Sequence, residues 1–305
     1  MTIRLAVTLA CVAAGTASAG QFSDWNLLVR HDVSTSSHVD GSAMIGGDLS
    51  GTSVFSMHQV THSGGAGLVV GGNISGNNKV NQGGNLIHGG TISGTLDMNG
   101  GGSVQQQAGI GAMVSNAFSQ ANSFSSFLRD LAPTGSLSVL DGTKGTLNAG
   151  STVTLGSHQV AVYSLNQSTL GGLSELGLNF GTADFVVINV DASMTGGAAS
   201  IGMNFLGGLN QNNSGRIVWN FFNTTDLSIG TNLSGMVLAT QADMTLFGSG
   251  MYGSVVVNSL VSNAEIRLRT FEGDFDIAVV PLPPAVWAGL GMLGVGAGVR
   301  SARRR

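Results

Sequence analysis

A chain of 305 residues with 48 glycines, a single cysteine and charged side chains at only 9% of positions has no disulfide framework to fold around. Between residues 20 and 280 lie all 16 acidic side chains but only seven basic ones, a net charge of −9 against −4 for the whole chain. That balance excludes a basic footprint for nucleic acid or for an anionic membrane surface.

The N-terminus reads as an export signal: Arg4, an apolar run over 5–14, and the small-residue site Ala17-Ser18-Ala19. Sec export is expected, with cleavage after Ala19 and residues 1–19 as the signal peptide. Cys11 falls inside it, and Thr8-Leu9-Ala10 is a poor lipidation box. The mature chain therefore has no cysteine for disulfides, redox pairs or thiolate zinc sites. Its fold must rest on packing and hydrogen bonding.

Internal repeats come next. Ala43-Met44-Ile45-Gly46-Gly47-Asp48-Leu49-Ser50-Gly51 recurs as Leu68-Val69-Val70-Gly71-Gly72-Asn73-Ile74-Ser75-Gly76, and again over 86–94. The Gly-Gly pairs stand 25 and then 18 residues apart. Each unit reads as two short strands broken at a bend where glycine takes the conformation other residues resist. One unit cannot bury its own apolar face, so units must stack. The expected fold is mainly β, a parallel β-helix (β-solenoid), with an antiparallel sandwich of short strands as the alternative.

Over about 104–131 the period changes. Ile110, Val114, Ala117, Phe118, Ala121, Phe124, Leu128 and Leu131 recur at steps of three and four, one face of a long amphipathic helix. Ala132-Pro133-Thr134-Gly135 stops it. Such a helix is expected to lie along the solenoid or to cap its open end. Further on, 185–190 and 216–223 read as buried strands, and 171–181 and 210–215 as loops. Leu233-Ser234-Gly235-Met236-Val237 and Met251-Tyr252-Gly253-Ser254-Val255 repeat the earlier theme, Gly235 and Gly253 again 18 apart.

Past an acidic cluster, Glu272, Asp274 and Asp276, come Val280-Pro281-Leu282-Pro283-Pro284, an apolar stretch over 285–299 and a basic stop of Arg300, Arg303, Arg304 and Arg305. Fifteen residues rich in glycine are short of the roughly 20 that a stable span needs. The arginines would stay cytoplasmic. Motif, apolar segment and basic end together resemble the VPLPA variant of the PEP-CTERM sorting signals of Gram-negative bacteria, departing at Pro284, where that variant usually has Ala. The resemblance implies transient insertion in the inner membrane through a transmembrane helix, cleavage by an exosortase-like sorting enzyme, and release to the cell surface or matrix. The sorting signal is placed at 277–305, and an ordinary membrane anchor is the alternative.

The stretch 22–275 also resembles the choice-of-anchor A family. Phe22-Ser23-Asp24-Trp25-Asn26-Leu27-Leu28-Val29 carries the likeness at one end, Arg216-Ile217-Val218-Trp219-Asn220-Phe221 and Gly253-Ser254-Val255-Val256-Val257 at the other. It implies a bacterial surface domain, here 20–276, with an adhesive role, a solenoid-like fold and no catalytic residues. Val29-Arg30-His31-Asp32 departs where a glycine-bearing turn is expected.

Chemistry is sparse. His58 and His62 are four apart, but nothing around them is helical and no glutamate lies between them, so surface positions in a polar loop are expected for that pair; His31, His38, His88 and His158 complete the six. Asp24, Asp32, Asp40 and Asp48 recur every eight residues, yet neither calcium β-roll nor EF-hand spacing accompanies them, so they read as solvated turn residues. A polysaccharide lyase would want more cations than the two lysines, Lys79 and Lys144; a glycosidase needs a carboxylate pair that sequence cannot locate. Arrays of Thr-x-Thr for ice are missing apart from Thr152-Val153-Thr154. The expectation is a secreted, non-enzymatic surface or biofilm-matrix protein with no cofactor or metal. Its expected partners are extracellular polysaccharide or further copies of itself. The alternatives are a polysaccharide-binding or polysaccharide-cleaving β-helix, and a filament subunit if the solenoid ends are uncapped.

Overall fold

The computed structural model describes residues 24–273 and Phe275. The export signal with Ala17 and Ala19, the motif at Val280, Pro281, Leu282 and Pro283, and the arginines Arg300, Arg303, Arg304 and Arg305 lie outside the described residues. Among the described residues no helix is long and apolar enough to cross a membrane. The membrane-inserting segment expected over 285–299 lies outside the described residues.

The described chain is mainly β. Its strands pair in parallel except in two hairpins, Gly135–Leu140 with Lys144–Ala149 and Val153–Leu155 with His158–Asn166. The three repeats lie over one another in register: Ala43 pairs with Leu68 and Leu68 with Leu86, then Leu49 with Ile74 and Ile74 with Ile92. Glycine at the bend is a packing requirement. A Cβ on Gly71 would fall 2.2 Å from the Gly46 carbonyl oxygen of the coil beneath.

Two ladders run through the stack. The first contains, in spatial order, Val104–Gln106, Asn85–His88, Ala66–Val70, Ala43–Ile45, Leu27–Val29, then Val255–Ser262, Met236–Leu246, Ile217–Phe222, Phe185–Asp191 and His158–Asn166. The chain thus begins in the middle of the stack, with Leu27 paired to Val255 on one side and Ala43 on the other. From there it coils to one end, crosses to the other, and coils back until its last rung meets its first. The unexpected Arg30-His31 turn lies at this junction. Val29 pairs with Val257 and Val33 with Leu260, so the neighbouring turn is one residue shorter there. The amides of Arg30 and His31 donate to the carbonyls of Val257 and Asn258, which leaves room for side chains that the Gly-Gly column lacks.

The crossing is the helix α1, Ile110–Asp130. It starts six residues later than the period suggested, because Val104–Gln106 forms the last rung beside Leu86–His88 and Gly109, at φ 84°, breaks the chain before the helix. Its apolar stripe, Ile110 to Leu128, is buried against the outward side chains of the first ladder, among them Leu28, Val187, Val218, Leu238 and Val256, all fully buried. Val114 packs on Gly46, and the Leu128 carbonyl accepts from Asn189. Fourteen helical residues at 1.5 Å cover about 21 Å, and the five rung steps between those contacts cover about 24 Å. The helix length therefore matches the stack it crosses. Two loop expectations also change: Glu175–Asn179 is a strand paired with Lys144–Ala149, and Gln211–Arg216 is a 3-10 turn.

Candidate functional site

The second ladder has one dry face and one wet one. Val33, Leu49, Ile74, Leu227, Ile229, Met244, Leu246 and Leu260 point inward and are buried, and the residues between them point out. Register places the outward hydroxyls in a line. Ser200 pairs with Ser228, Ser228 with Thr245, Thr245 with Val261, Val261 with Ser34 and Ser34 with Ser50. The line continues through Ser75, which pairs with Ser93. Eight rungs give a column about 34 Å long at the usual strand spacing, interrupted only by Val261, which is 57% exposed. The hydroxyls of Ser50, Ser75 and Ser93 each donate to a carbonyl of the coil beneath at 3.3, 3.4 and 3.4 Å. Their outward lone pairs stay open to accept.

A second column, two residues earlier, runs Ala198, Asp226, Asp243, Ser259, Asp32, Asp48, Asn73, Thr91. Part of it holds the stack together. Asp32 Oδ1 accepts from the Asp48 amide at 2.7 Å, Asp48 Oδ1 from the Asn73 amide at 2.6 Å, and Asn73 Oδ1 from the Thr91 amide at 3.0 Å. Asp243 accepts from the Ser259 hydroxyl at 2.6 Å and the Asn258 amide at 2.8 Å. The Ser259 hydrogen bond, then that of Asn258, lowers its carboxyl below the usual aspartate value, so it is ionised at neutral pH. The face is therefore a strip of hydroxyls bordered by carboxylates, without a basic side chain in either column.

The eight-residue aspartate period dissolves in three dimensions. Asp32 and Asp48 sit one above the other in this column, whereas Asp40 is buried and accepts from the Leu268 amide at 3.0 Å; it is no solvated turn residue. The histidines part company too. His62 stacks on Trp25 at 4.4 Å and burial lowers its pKa, whereas His58 lies 3.7 Å from Asp40. His38 bonds Glu265 at 2.9 Å, and His88 is buried. Among the described residues no group of three or more His, Cys, Asp or Glu side chains is placed to hold a metal. Thr152-Val153-Thr154 is not on the hydroxyl face; its strand ends the first ladder, and Thr152 bonds Gln159. Glu272 makes an exposed ion pair with Arg269 at 3.4 Å, and Asp274 and Asp276 lie outside the described residues.

Sequence reasoning missed the hydroxyl column because its members come from coils far apart in the chain. The available signal was the Ser that follows Leu or Ile in each repeat, at Ser50, Ser75 and Ser93.

The described residues thus form a largely parallel β stack with a helix over one face and a line of hydroxyls along another. A sequence family described as "Putative Ice-binding-like adhesive domain" matches residues 18–268. The chain belongs to this family of ice-binding-like adhesive domains. Similar solved structures include an ice-binding protein from the Antarctic ascomycete Antarctomyces psychrotrophicus, at 15% identity and TM-score 0.37, covering 82% of this chain and 97% of that one. A glycosylated ice-binding protein from an Arctic yeast is 11% identical at TM-score 0.38, covering 88% of this chain and 96% of its own. An ice-binding protein domain of Shewanella frigidimarina is 12% identical at TM-score 0.31, with 81% and 95% covered. At TM-scores this low, the likenesses say nothing about what this chain binds. No curated protein matches the chain.

Proposed function

We propose that this is an exported, non-enzymatic adhesive protein of the bacterial surface or biofilm matrix, and that the hydroxyl face is the surface it adheres with. The carrying observation is the Ser/Thr column from Ser200 to Ser93, which presents one hydroxyl per rung over most of the stack. A flat, rigid array of this kind contacts an extended surface at little entropic cost, because its side chains are ordered before contact. Asp226 and Asp243 stand side by side in the column next to the hydroxyls and add acceptors to that surface. The resemblance to choice-of-anchor A proteins and to VPLPA sorting tails supports Sec export, transient inner-membrane insertion and release by an exosortase-like enzyme.

The test is adsorption of the mature protein to its own cells and extracted matrix. Ser50→Tyr with Ser75→Tyr, both outward-facing, should abolish adsorption and leave the melting temperature within about 2 °C, as surface changes do. Undiminished adsorption would remove the face from the function. Intact mass of the native protein checks the processing: a chain running from near Gly20 to between Pro281 and Pro284 is expected.

Self-association is a second reading, and one observation favours it. Among the described residues Ile92–Met98 and Val104–Gln106 have a strand partner on one side only. Ile92, Leu96 and Met98 are only partly covered there, and an open parallel edge of this kind pairs readily with another chain.

A further inference from the structure

The coil of Ile92–Met98 and Val104–Gln106 is the last at one end of the stack, and its apolar residues are left uncovered. Register makes the comparison direct: Ile74, Val80 and Leu86 of the coil beneath pair with Ile92, Met98 and Val104. The first three are at most 1% exposed, whereas Ile92 and Met98 are half-buried and Val104 is 47% exposed. The helix α1 gives this end no lid. It leaves after Gly109 and runs down the side of the stack, where Val114 already packs on Gly46. Among the described residues neither strand has a partner on its outer side. Monomeric proteins ordinarily guard such edges with lysine, proline or a charge. Residues 91–106 contain no proline and one charged side chain, Asp97, which pairs with Lys79 of the coil beneath at 3.5 Å.

The chain itself is too short to cover this end. Under the processing proposed above, four residues precede Asp24, too few to line strands of seven and three residues. On the C-terminal side Phe275 packs on Phe185 at 5.6 Å, eight rungs from Val104 along the first ladder, or about 38 Å. The nine residues from Asp276 to Pro284 span about 31 Å when fully extended. The opposite end of another copy does not fit either. There the second ladder finishes in Ala198–Ile201, and the short helix α2 (Gln167–Leu170) packs on that strand, with Leu170 fully buried and Gln167 Nε2 donating to the Ser200 carbonyl at 2.9 Å. The side-chain ladder stops as well. Asn73 and Asn85 accept from the amides and hydroxyls of Thr91 and Ser103 in the last coil, but those two residues carry no amide to reach a further coil. The open end is not shaped to continue as one more parallel coil.

The same end of a second copy does fit: it offers an edge of equal length and the same uncovered apolar residues. We infer that two copies meet at this end across a two-fold axis, with Ile92–Met98 of each pairing antiparallel with its mate. Cross-strand partners share a face of the sheet, so the axis passes through a residue. At Asp97 it would oppose two carboxylates, which leaves the stretch from Ser93 to Leu96. The inference deepens the self-association reading and rests on it, naming the partner and its symmetry. Such a pair carries two hydroxyl faces in one particle, and two attachments hold more strongly than either alone.

Sedimentation equilibrium of the mature chain measures the mass, and cysteine scanning measures the symmetry. A small interface of this kind should give a dimer with a Kd of about 100 µM. At about 1 mM the mass should then approach twice that of the monomer, with no larger species. Thr95→Lys and Val104→Lys, both exposed, should each weaken the dimer at least about tenfold, whereas Met194→Lys, 73% exposed away from this end, should leave it unchanged. The mature chain has no cysteine, so a single introduced thiol has only its own copy to pair with. A position on a two-fold axis faces its mate at about 4.5–5.5 Å, within disulfide reach. One of Ser93→Cys, Thr95→Cys and Leu96→Cys should give a disulfide-linked dimer on mild oxidation, and Met194→Cys should not. A chain that stays monomeric at about 1 mM would overturn the inference and self-association with it. A dimer unmoved by both lysine variants, a mass that keeps growing with concentration, or a dimer that none of the three cysteines links would overturn the inference and leave self-association standing.

Discussion

Replacing Asn220 with Leu should loosen α1 from the stack it crosses. Asn220 is fully buried; its Nδ2 donates to the Ser125 carbonyl at 2.9 Å and to Asn189 Oδ1 at 2.8 Å, and its Oδ1 accepts from the Ser125 hydroxyl at 2.6 Å. Asn189, itself buried, passes the chain on to the Leu128 carbonyl at 2.7 Å. These two amides are polar links from neighbouring rungs to the helix, set in an otherwise apolar seam. Leu keeps the branched shape of Asn but is larger, so the change removes hydrogen bonds and adds some overpacking at a fully buried site. It leaves Asn189 Oδ1 and the Ser125 hydroxyl without partners, each costing about 1–3 kcal/mol. Ser125 has an escape, since it can turn back to its own helix as Ser123 does to the Ser119 carbonyl at 3.0 Å. The expected loss is therefore about 3 kcal/mol, mostly from Asn189. Asn189→Leu alone should cost a similar amount. The pair together should cost less than the sum by at least about 1 kcal/mol, because the second change removes the group that the first left stranded. Urea unfolding of the mature protein, followed by far-ultraviolet circular dichroism with unchanged m-values, measures all three. An Asn220→Leu variant within about 0.5 kcal/mol of the parent, or strict additivity of the pair, would refute the view that these amides act as one unit.

Other expectations can be checked on the same material. Burial pushes the Tyr163 phenol up to about 12 from an ordinary 10, and its hydroxyl has no partner. An unfolded chain ionises there first, so this group's contribution is intact below pH 10 and is lost as pH rises towards 12. Tyr163→Phe should be at least as stable at pH 7 and should flatten the alkaline fall in melting temperature. Asp243 behaves oppositely: its lowered pKa gives stability that is present above the ordinary aspartate value and lost as pH falls through the folded one. Asp243→Asn should therefore soften the acid limb. Gly76 sits at φ +83° with the Gly51 carbonyl oxygen 1.9 Å from any added Cβ, whereas Gly101, at φ +90°, has nothing within 4 Å. Gly76→Ala should cost more than about 2 kcal/mol, and Gly101→Ala only the backbone strain of about 1 kcal/mol. If the open edge pairs copies of the chain, Thr95→Pro on Ile92–Met98 should lower the sedimentation-average mass at high concentration. An unchanged mass would remove that edge from any assembly.

The local units and the kind of partner each needs were legible in the chain alone. A triplet, two glycines, a polar residue and Ile-Ser-Gly or Leu-Ser-Gly read as two short strands about a bend, because a bend without a Cβ and a one-sided apolar strand are local properties of the chain. The stripe from Ile110 to Leu128 read as a helix for the same reason, and only its start was misplaced, since Val104–Gln106 can follow either period until a neighbouring strand takes it. The order of the stack was settled only in three dimensions. That the first rung, Leu27–Val29, lies on Val255–Val257 is a contact between residues more than 200 apart, and no spacing in the chain records it. The same contact explains the Arg30-His31 turn and joins Ser34 to Val261. The hydroxyl face exists only once that junction is made, because its eight rungs come from two halves of the chain that the sequence separates by a helix.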